Sequence, residues 1–151
     1  MDEDEYRDIY HSVNKLRCCY EKAILTRRFG CQYVIRLNLA EREAAGCNNE
    51  QAQALCQQFL RLTRSNAAFA LKAANTNKQL PHAKEIKAQC GGMLGLNQLL
   101  HTGESSANGV EDIFSCIQEA EQQFNSLDLI PFEEIIHTIS HFQGRKKRGR
   151  R

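Results

Sequence analysis

The sequence has no tryptophan, only two prolines and an aromatic content of 7% in 151 residues. Because proline interrupts helices, two prolines leave long stretches that helices can occupy. No segment sustains the alternation of apolar and polar residues that is typical of a half-buried strand. These shortages argue against collagen-like, disordered and all-β sandwich classes. The length suits one domain with a sizeable core.

Long apolar runs and a cysteine framework are also missing. No run approaches the roughly 18 apolar residues of a membrane-spanning helix, so we expect no membrane contact. The first eight residues are acidic where a secretory signal would be basic and then apolar. The seven cysteines are odd in number and show no C-x-x-C spacing, which argues against a disulfide framework and a zinc knuckle. We therefore expect an intracellular protein, cytoplasmic or in a eukaryote nuclear, with reduced and mostly buried thiols.

Helical periodicity is present from the start of the chain. Apolar residues recur in alternating steps of three and four, the seam of a coiled coil or bundle helix: Tyr6, Ile9, Val13, Leu16, Tyr20 and Ala23. Arg27 and Gly30 interrupt this seam before Val34 and Leu37 resume it. Residues 2–45 form either one helix of about forty residues or two helices that meet near Gly30, and we favour the long helix because no proline marks the break. Such a helix could pair with a second copy of the chain or with a partner helix.

The rest of the sequence predicts further helices separated by clear stops. The helices lie over about 50–74, 81–90, 110–125 and 131–143, with Gly46 to Asn49 as the first turn and 101–109 as the main loop. Gly91, Gly92 and Gly95 indicate a helix break or a close helix crossing. We therefore predict an all-α, single-domain bundle of four to six helices over 1–144, with a long N-terminal helix and a disordered basic tail.

Two groups of residues suggest metal or redox chemistry. Glu134, His137 and His141 share one helical face, as metal ligands must, but that face lies opposite the apolar residues of the helix. We interpret it as a solvated polar face and predict no metal site and no cofactor. Cys18 and Cys19 lie near arginines that could stabilise a thiolate, which makes a redox thiol a minor hypothesis. No catalytic motif is recognisable, which argues against an enzyme.

The formal net charge of +2 conceals a strong asymmetry. Six of the last seven residues are basic: Arg145, Lys146, Lys147, Arg148, Arg150 and Arg151. Without them, 14 basic side chains oppose 18 acidic ones, so 1–144 carries a charge of −4. A segment of this composition cannot form a core, and we expect 145–151 to be a disordered arm that attracts phosphates by counterion release. A nuclear-import signal, docking to an acidic protein surface and a solubilising terminus are the alternatives.

The combined prediction is a non-enzymatic helical interaction or scaffold protein whose tail contacts nucleic acid or another polyanion. Five further arginines could extend the basic surface if folding brings them together: Arg27, Arg28, Arg36, Arg61 and Arg64. One alternative is an adaptor that binds a partner protein in an apolar helix groove. The other is a metal-binding or redox bundle that uses Glu134, His137 and His141 or the cysteines.

Overall fold

The computed structural model describes residues 2–102 and 108–143, so the predicted tail at 145–151 lies outside the described residues. The described chain is mostly helical with one two-stranded antiparallel hairpin. Its elements are α1 (Glu3–Val13), α2 (Glu21–Leu25), β1 (Val34–Leu39), β2 (Arg42–Cys47), α3 (Glu50–Asn66), α4 (Ala68–Leu71), α5 (His82–Ile86), α6 (Gly92–Leu100), α7 (Ile113–Phe124) and α8 (Phe132–His141). A π-helical turn, Lys87–Gly91, joins α5 to α6, and a 3-10 turn, Leu127–Leu129, precedes α8.

The predicted long N-terminal helix is wrong, and the all-α description omits a hairpin. Helix α1 ends at Val13 because the next residue, Asn14, is drawn into the hairpin, where its side-chain amide donates to the carbonyl of Ala45 at 3.0 Å. No residue of α1 is fully buried, so the predicted seam is not a continuous core stripe. Pairing of the first helix with a second copy of the chain or with a partner helix stays a prediction.

The hairpin occupies the stretch in which the helical seam was expected to resume. Val34 pairs with Cys47 and Leu39 pairs with Arg42, which leaves Ala40 and Glu41 as the turn. Ala40 adopts a positive φ of 59°, a conformation that favours glycine or asparagine, so the usual sequence signal of a hairpin turn is missing. Ile35, Leu37 and Leu39 do alternate with Arg36 and Asn38, but this strand signal is short, and the three-residue spacing of Val34 and Leu37 fits a helix as well.

The helices after the hairpin agree more closely with the predicted boundaries. Asn49 caps α3, since its side-chain oxygen accepts the N–H of Ala52 at 2.9 Å. Pro81 and Pro131 immediately precede α5 and α8, where their missing N–H groups break no helical hydrogen bond. Both prolines therefore occupy the helix starts that the sequence indicated.

A close helix crossing forms the centre of the helical part. Gly91 and Gly95 face α8, and a Cβ on either residue would lie 2.9 Å from the Cα of Ile139 or Ile135. The predicted close crossing is thus confirmed, while the helix continues through the π-helical turn instead of breaking. One apolar core connects Tyr20 and Phe29 to this crossing. Within the described ranges, no helix is both long enough and apolar enough to span a membrane.

Candidate functional site

Two adjacent features meet at Cys19: a cleft lined with cations and a cavity lined with cysteines. The cleft, of about 520 Å³, lies between the 17–22 segment, α3 and the 76–89 segment. Five basic side chains line it: Arg17, Lys22, Arg61, Arg64 and Lys78. The only carboxylate among its lining residues is Glu85, and most of the other polar lining groups are amides. We call this feature the basic cleft.

A buried hydrogen-bond network fixes one wall of the basic cleft. The guanidinium of Arg64 donates twice to the carboxylate of Glu85, at 3.0 and 2.6 Å. Gln89 donates to the same carboxylate at 2.7 Å and accepts the backbone N–H of Ala23 at 3.0 Å. Only 6% of the Glu85 side chain is exposed, whereas Arg64 keeps 29% exposed toward the cleft. The network therefore neutralises the one carboxylate and fixes the position of Arg64.

The remaining cations of the basic cleft are less constrained. Arg17 lies 3.6 Å from Glu21, and half of its side chain is exposed. The ammonium of Lys22 lies 2.8 Å from Nδ1 of His82. Among the described residues, no acidic side chain forms an ion pair with Arg61 or Lys78. These two cations are available to an anionic ligand without breaking an internal pair.

Five of the seven cysteines line the second feature: Cys18, Cys19, Cys31, Cys47 and Cys56. We call it the cysteine cavity. It measures about 20 Å³, enough for at least one water-sized atom. The rest of its wall includes Tyr20, Tyr33, Ile113 and Phe114. The five thiols come from four chain segments that are separated in the sequence.

Backbone hydrogen bonds bring three of these cysteines together. The N–H of Cys18 donates to the carbonyl of Ala45 at 3.1 Å, and the N–H of Cys47 donates to the carbonyl of Leu16 at 2.8 Å. This short pairing lays the 16–18 segment alongside β2. Gly30 fixes the position of Cys31 through two backbone hydrogen bonds, each of 2.9 Å. The N–H of Gly30 donates to the carbonyl of Val110, and the carbonyl of Gly30 accepts the N–H of Ile113. Cys56 projects from α3 and is hydrogen-bonded to Cys19.

The environment of the cavity disfavours the thiolate forms of Cys18, Cys31 and Cys56. Burial raises the pKa of Cys18 to about 12, although a backbone hydrogen bond from Tyr20 opposes it. Burial also raises the pKa of Cys31, against backbone hydrogen bonds from Tyr33 and Phe114. The hydrogen bond to Cys19, followed by burial, raises the pKa of Cys56 far above its ordinary value. Burial is the largest influence on the pKa of Cys18 and opposes the thiolate, so the redox-thiol hypothesis gains no support from this residue.

One polar atom beside the cysteine cavity lacks an internal partner. Tyr20, whose side chain lines the cavity, is 1% exposed. Its hydroxyl is buried and finds no hydrogen-bond partner among the described residues. Burial raises the pKa of this hydroxyl well above its ordinary value, and the nearby thiols of Cys19 and Cys56 raise it further. A buried hydroxyl without a partner costs about 1–3 kcal/mol.

The histidine-containing face of α8 points away from the core. Glu134, His137 and His141 are exposed, whereas Ile135 and Ile139 on the same helix are fully buried. The two histidine rings contact each other, with centroids 4.3 Å apart. The interpretation of this face as solvated is confirmed. Among residues 2–102 and 108–143, no group of three or more His, Cys, Asp or Glu side chains is arranged to hold a metal ion.

Comparison with known proteins gives no relative: no protein family, curated protein or solved structure matches the chain. Function must therefore be argued from the two features themselves.

The structure brings together part of the predicted basic surface. Arg61 and Arg64 line the basic cleft, whereas Arg27 forms an ion pair with Glu43 of β2 and Arg36 is exposed on β1. Sequence reasoning missed the cysteine cavity because the segment that assembles it was assigned to a helix. The tail residues 145–151 stay a prediction, since they lie outside the described residues.

Proposed function

We propose that the protein is a non-enzymatic, mostly helical binding protein that contacts nucleic acid or another polyanion. The observation that supports this proposal is the basic cleft, in which five cations surround a single carboxylate that is already paired. Because 1–144 carries a net charge of −4, these cations form a local positive site on an acidic body. A concave positive site of this kind concentrates and orients anionic ligands.

The chemistry of the cleft suits a phosphate-containing ligand. Arg61 and Lys78 supply charges for phosphate oxygens, and the amides of Gln53, Gln57 and Asn77 supply hydrogen-bond donors and acceptors. Its volume of about 520 Å³ falls in the range of small-molecule sites, and is large enough for a nucleotide unit. Lysine and arginine are the side chains that most often contact phosphates, and five of them line the cleft. We therefore infer binding to the backbone of the polyanion, with little sequence preference.

In this proposal the basic tail adds a second, sequence-independent contact. Its six cations would bind phosphates by counterion release, so that affinity falls steeply as salt rises. The cleft would determine where the ligand lies on the folded part, while the tail would raise the association rate and the affinity.

Fluorescence anisotropy with a labelled single-stranded RNA, a single-stranded DNA and a DNA duplex tests both contacts. Deleting 145–151 should abolish most binding and make the slope of log K against log salt shallower by up to about 5 for the duplex, at roughly 0.9 per phosphate contact. The double variant Arg61→Ala/Lys78→Ala should weaken binding about tenfold and reduce the same slope by about 2.

Lys15→Ala is the matched control, because Lys15 is an exposed lysine that does not line the basic cleft. It should leave the affinity for all three probes unchanged. Affinity that is unchanged after both the deletion and the double substitution would refute the proposed function. Binding to acidic peptides but to none of the three probes would favour an acidic protein partner instead.

A further inference from the structure

Cys19 and Cys56 form a contact that the proposed function leaves unexplained. Their thiols are hydrogen-bonded to each other, although one residue precedes α2 and the other lies in α3. Cys56 is buried, whereas Cys19 is partly exposed and lines the basic cleft. Apolar packing explains Cys90 and Cys116, which lie within the core. It does not explain a pair of thiols in contact, one of which is open to a cleft.

We propose that Cys19 and Cys56 are a redox-modification site, at which a peroxide converts the two thiols into a disulfide. A disulfide requires two cysteines that are already close, since distant ones cannot be joined without moving the backbone. The hydrogen bond between the thiols supplies this proximity in the reduced chain. Cys19 reacts first, because it is the member of the pair that lines the basic cleft and can be reached from solvent.

The surroundings of Cys19 suit such a reaction. Reactive cysteines lie in partly exposed, electropositive positions, whereas structural cysteines are enclosed by apolar groups. Cys19 shares the lining of the cleft with five cations, of which Arg64 is held in place by Glu85. Positive charge at this position stabilises the negative charge that passes from the attacking sulfur to the departing oxygen.

The cysteine cavity offers room for the intermediate of the reaction. Peroxide first leaves one oxygen atom on the sulfur of Cys19, which becomes a sulfenic acid. The cavity of about 20 Å³ that Cys19 lines admits one water-sized atom. The hydroxyl of Tyr20 has no partner among the described residues, and it is close enough to Cys19 and Cys56 for them to raise its pKa. The added oxygen would give this hydroxyl an acceptor.

The other three cysteines of the cavity are less suited to the reaction. Burial raises the pKa of Cys18 to about 12 and also raises the pKa of Cys31, which disfavours the nucleophilic thiolate at both positions. The thiol of Cys47 donates to the carbonyl of Asn49 at 3.2 Å. These features favour the hydrogen-bonded pair as the site.

Atoms and electrons balance with hydrogen peroxide as the co-reactant. The sulfur of Cys19 attacks one peroxide oxygen, the O–O bond breaks, and the departing hydroxide takes the thiol proton to form water. The sulfur of Cys56 then attacks the sulfur of the sulfenic acid, the S–O bond breaks, and hydroxide leaves with the proton of Cys56 as a second water. The two thiols together lose two electrons, and the peroxide gains them. A dithiol reductant reverses the change by thiol–disulfide exchange.

Thiol mapping of the full chain tests the proposal. The reduced protein is treated with hydrogen peroxide in native buffer, desalted, unfolded and alkylated with iodoacetamide. We expect the loss of two hydrogens in the intact mass and a cross-linked peptide pair that contains Cys19 and Cys56. The other five of the seven cysteines should be alkylated, and dithiothreitol should restore alkylation of the pair. The outcome does not depend on what the basic cleft binds, because a covalent bond is measured.

The variant Cys19→Ser should abolish the disulfide and leave Cys56 open to alkylation. Cys56→Ser should stop the reaction at the sulfenic acid of Cys19, which dimedone captures. Cys116→Ser is the matched control, because Cys116 is also buried but does not line the cavity, and this variant should form the disulfide as the natural chain does. A second measurement uses the unmodified chain oxidised in guanidinium, and so does not depend on whether variants fold. The yield of the Cys19–Cys56 disulfide should fall several-fold there, because the unfolded chain does not hold the two thiols together.

Two results would overturn the proposal. The first is a peroxide-treated native chain in which Cys56 is alkylated as fully as Cys116. The second is a disulfide that joins a different pair of cysteines, or one that forms between Cys19 and Cys56 in equal yield in the native and the unfolded chain.

Discussion

The hairpin region, residues 14–49, and the helical region, residues 50–102 and 108–143, are stabilised in different ways. The hairpin region contains short elements that backbone hydrogen bonds hold together, and it contributes four of the five cavity cysteines. The helical region contains the close crossing of α6 and α8 and most of the buried apolar side chains. The contrast teaches that apolar packing predominates in the second region, whereas the first depends more on specific polar contacts.

The buried Arg64–Glu85 pair lies in the helical region and orients Gln89, which bonds to Ala23 of the hairpin region, and breaking the pair should have the largest effect. Arg64→Ala leaves the buried Glu85 carboxylate without its cation and, among the described residues, with only the amide of Gln89 as a side-chain donor, and Gln89 also holds α2 through Ala23. We expect a loss of about 3 kcal/mol in the free energy of unfolding, at the lower end of the cost for a buried pair because Arg64 is partly exposed. Chemical denaturation followed by circular dichroism measures this loss. Removing both partners with Arg64→Met/Glu85→Leu should cost less than Arg64→Ala, and an equal or larger cost would contradict the explanation.

The close crossing allows a test confined to the helical region. Gly95→Val places a branched side chain where a single Cβ would already lie 2.9 Å from the Cα of Ile135. We expect a loss of about 2 kcal/mol in the free energy of unfolding, because overpacking forces the two helices apart. Gln98→Val on the exposed side of α6 is the control: it introduces valine without overpacking, loses only the exposed hydrogen bond that Gln98 accepts from Thr138 of α8, and should cost less than about 1 kcal/mol. Equal losses for the two variants would mean that the crossing is not tightly packed.

Asn14 offers the equivalent test in the hairpin region. Asn14→Ala removes the side-chain donor to the carbonyl of Ala45 and leaves that buried carbonyl without this bond. We expect a loss of about 1–2 kcal/mol in the free energy of unfolding. Amide hydrogen exchange should accelerate in β2 more than in α6. A uniform acceleration across both elements would contradict the separation of the two regions.

The smallest expected effect concerns Asp112, which connects the two regions. Its side chain caps the N-terminus of α7 and accepts a hydrogen bond from Gln32 of the hairpin region. Burial raises the pKa of its carboxyl, but hydrogen bonds from Ser115 and Gln32 outweigh burial and lower the pKa overall. The folded pKa of Asp112 lies below the unfolded value of about 3.9. The ionised carboxylate therefore contributes its full share to the free energy of unfolding above that value, and this share is lost as pH falls through the folded pKa.

Asp112→Asn should therefore cost less than about 1 kcal/mol near neutral pH, since asparagine also caps helices. The difference in free energy of unfolding between this variant and the natural sequence should shrink below about pH 4. A difference that grows toward low pH would show that the carboxylate does not stabilise the junction.

Sequence patterns predicted the helical region better than the hairpin region, for identifiable reasons. The asparagine cap of α3 and the prolines before α5 and α8 act on neighbouring residues, and the glycines that allow the crossing are close together in the sequence, although their partners on α8 are not. The hairpin was missed because Ala40 takes a positive φ without glycine or asparagine, and because the spacing of Val34 and Leu37 also fits a helix. The cysteine cavity could not be predicted, since Cys18, Cys31 and Cys56 meet only after that hairpin forms. Of the basic cleft, Arg61 and Arg64 were noted in advance, but Lys78 and Arg17 join them only through tertiary packing.

The most direct test of the account is amide hydrogen exchange on the full chain at increasing denaturant concentration. Our account predicts that β2 and the 16–18 segment exchange at lower denaturant concentrations than α6 and α8, because fewer buried apolar side chains stabilise the hairpin region. Exchange that responds to denaturant equally in both regions would contradict the account.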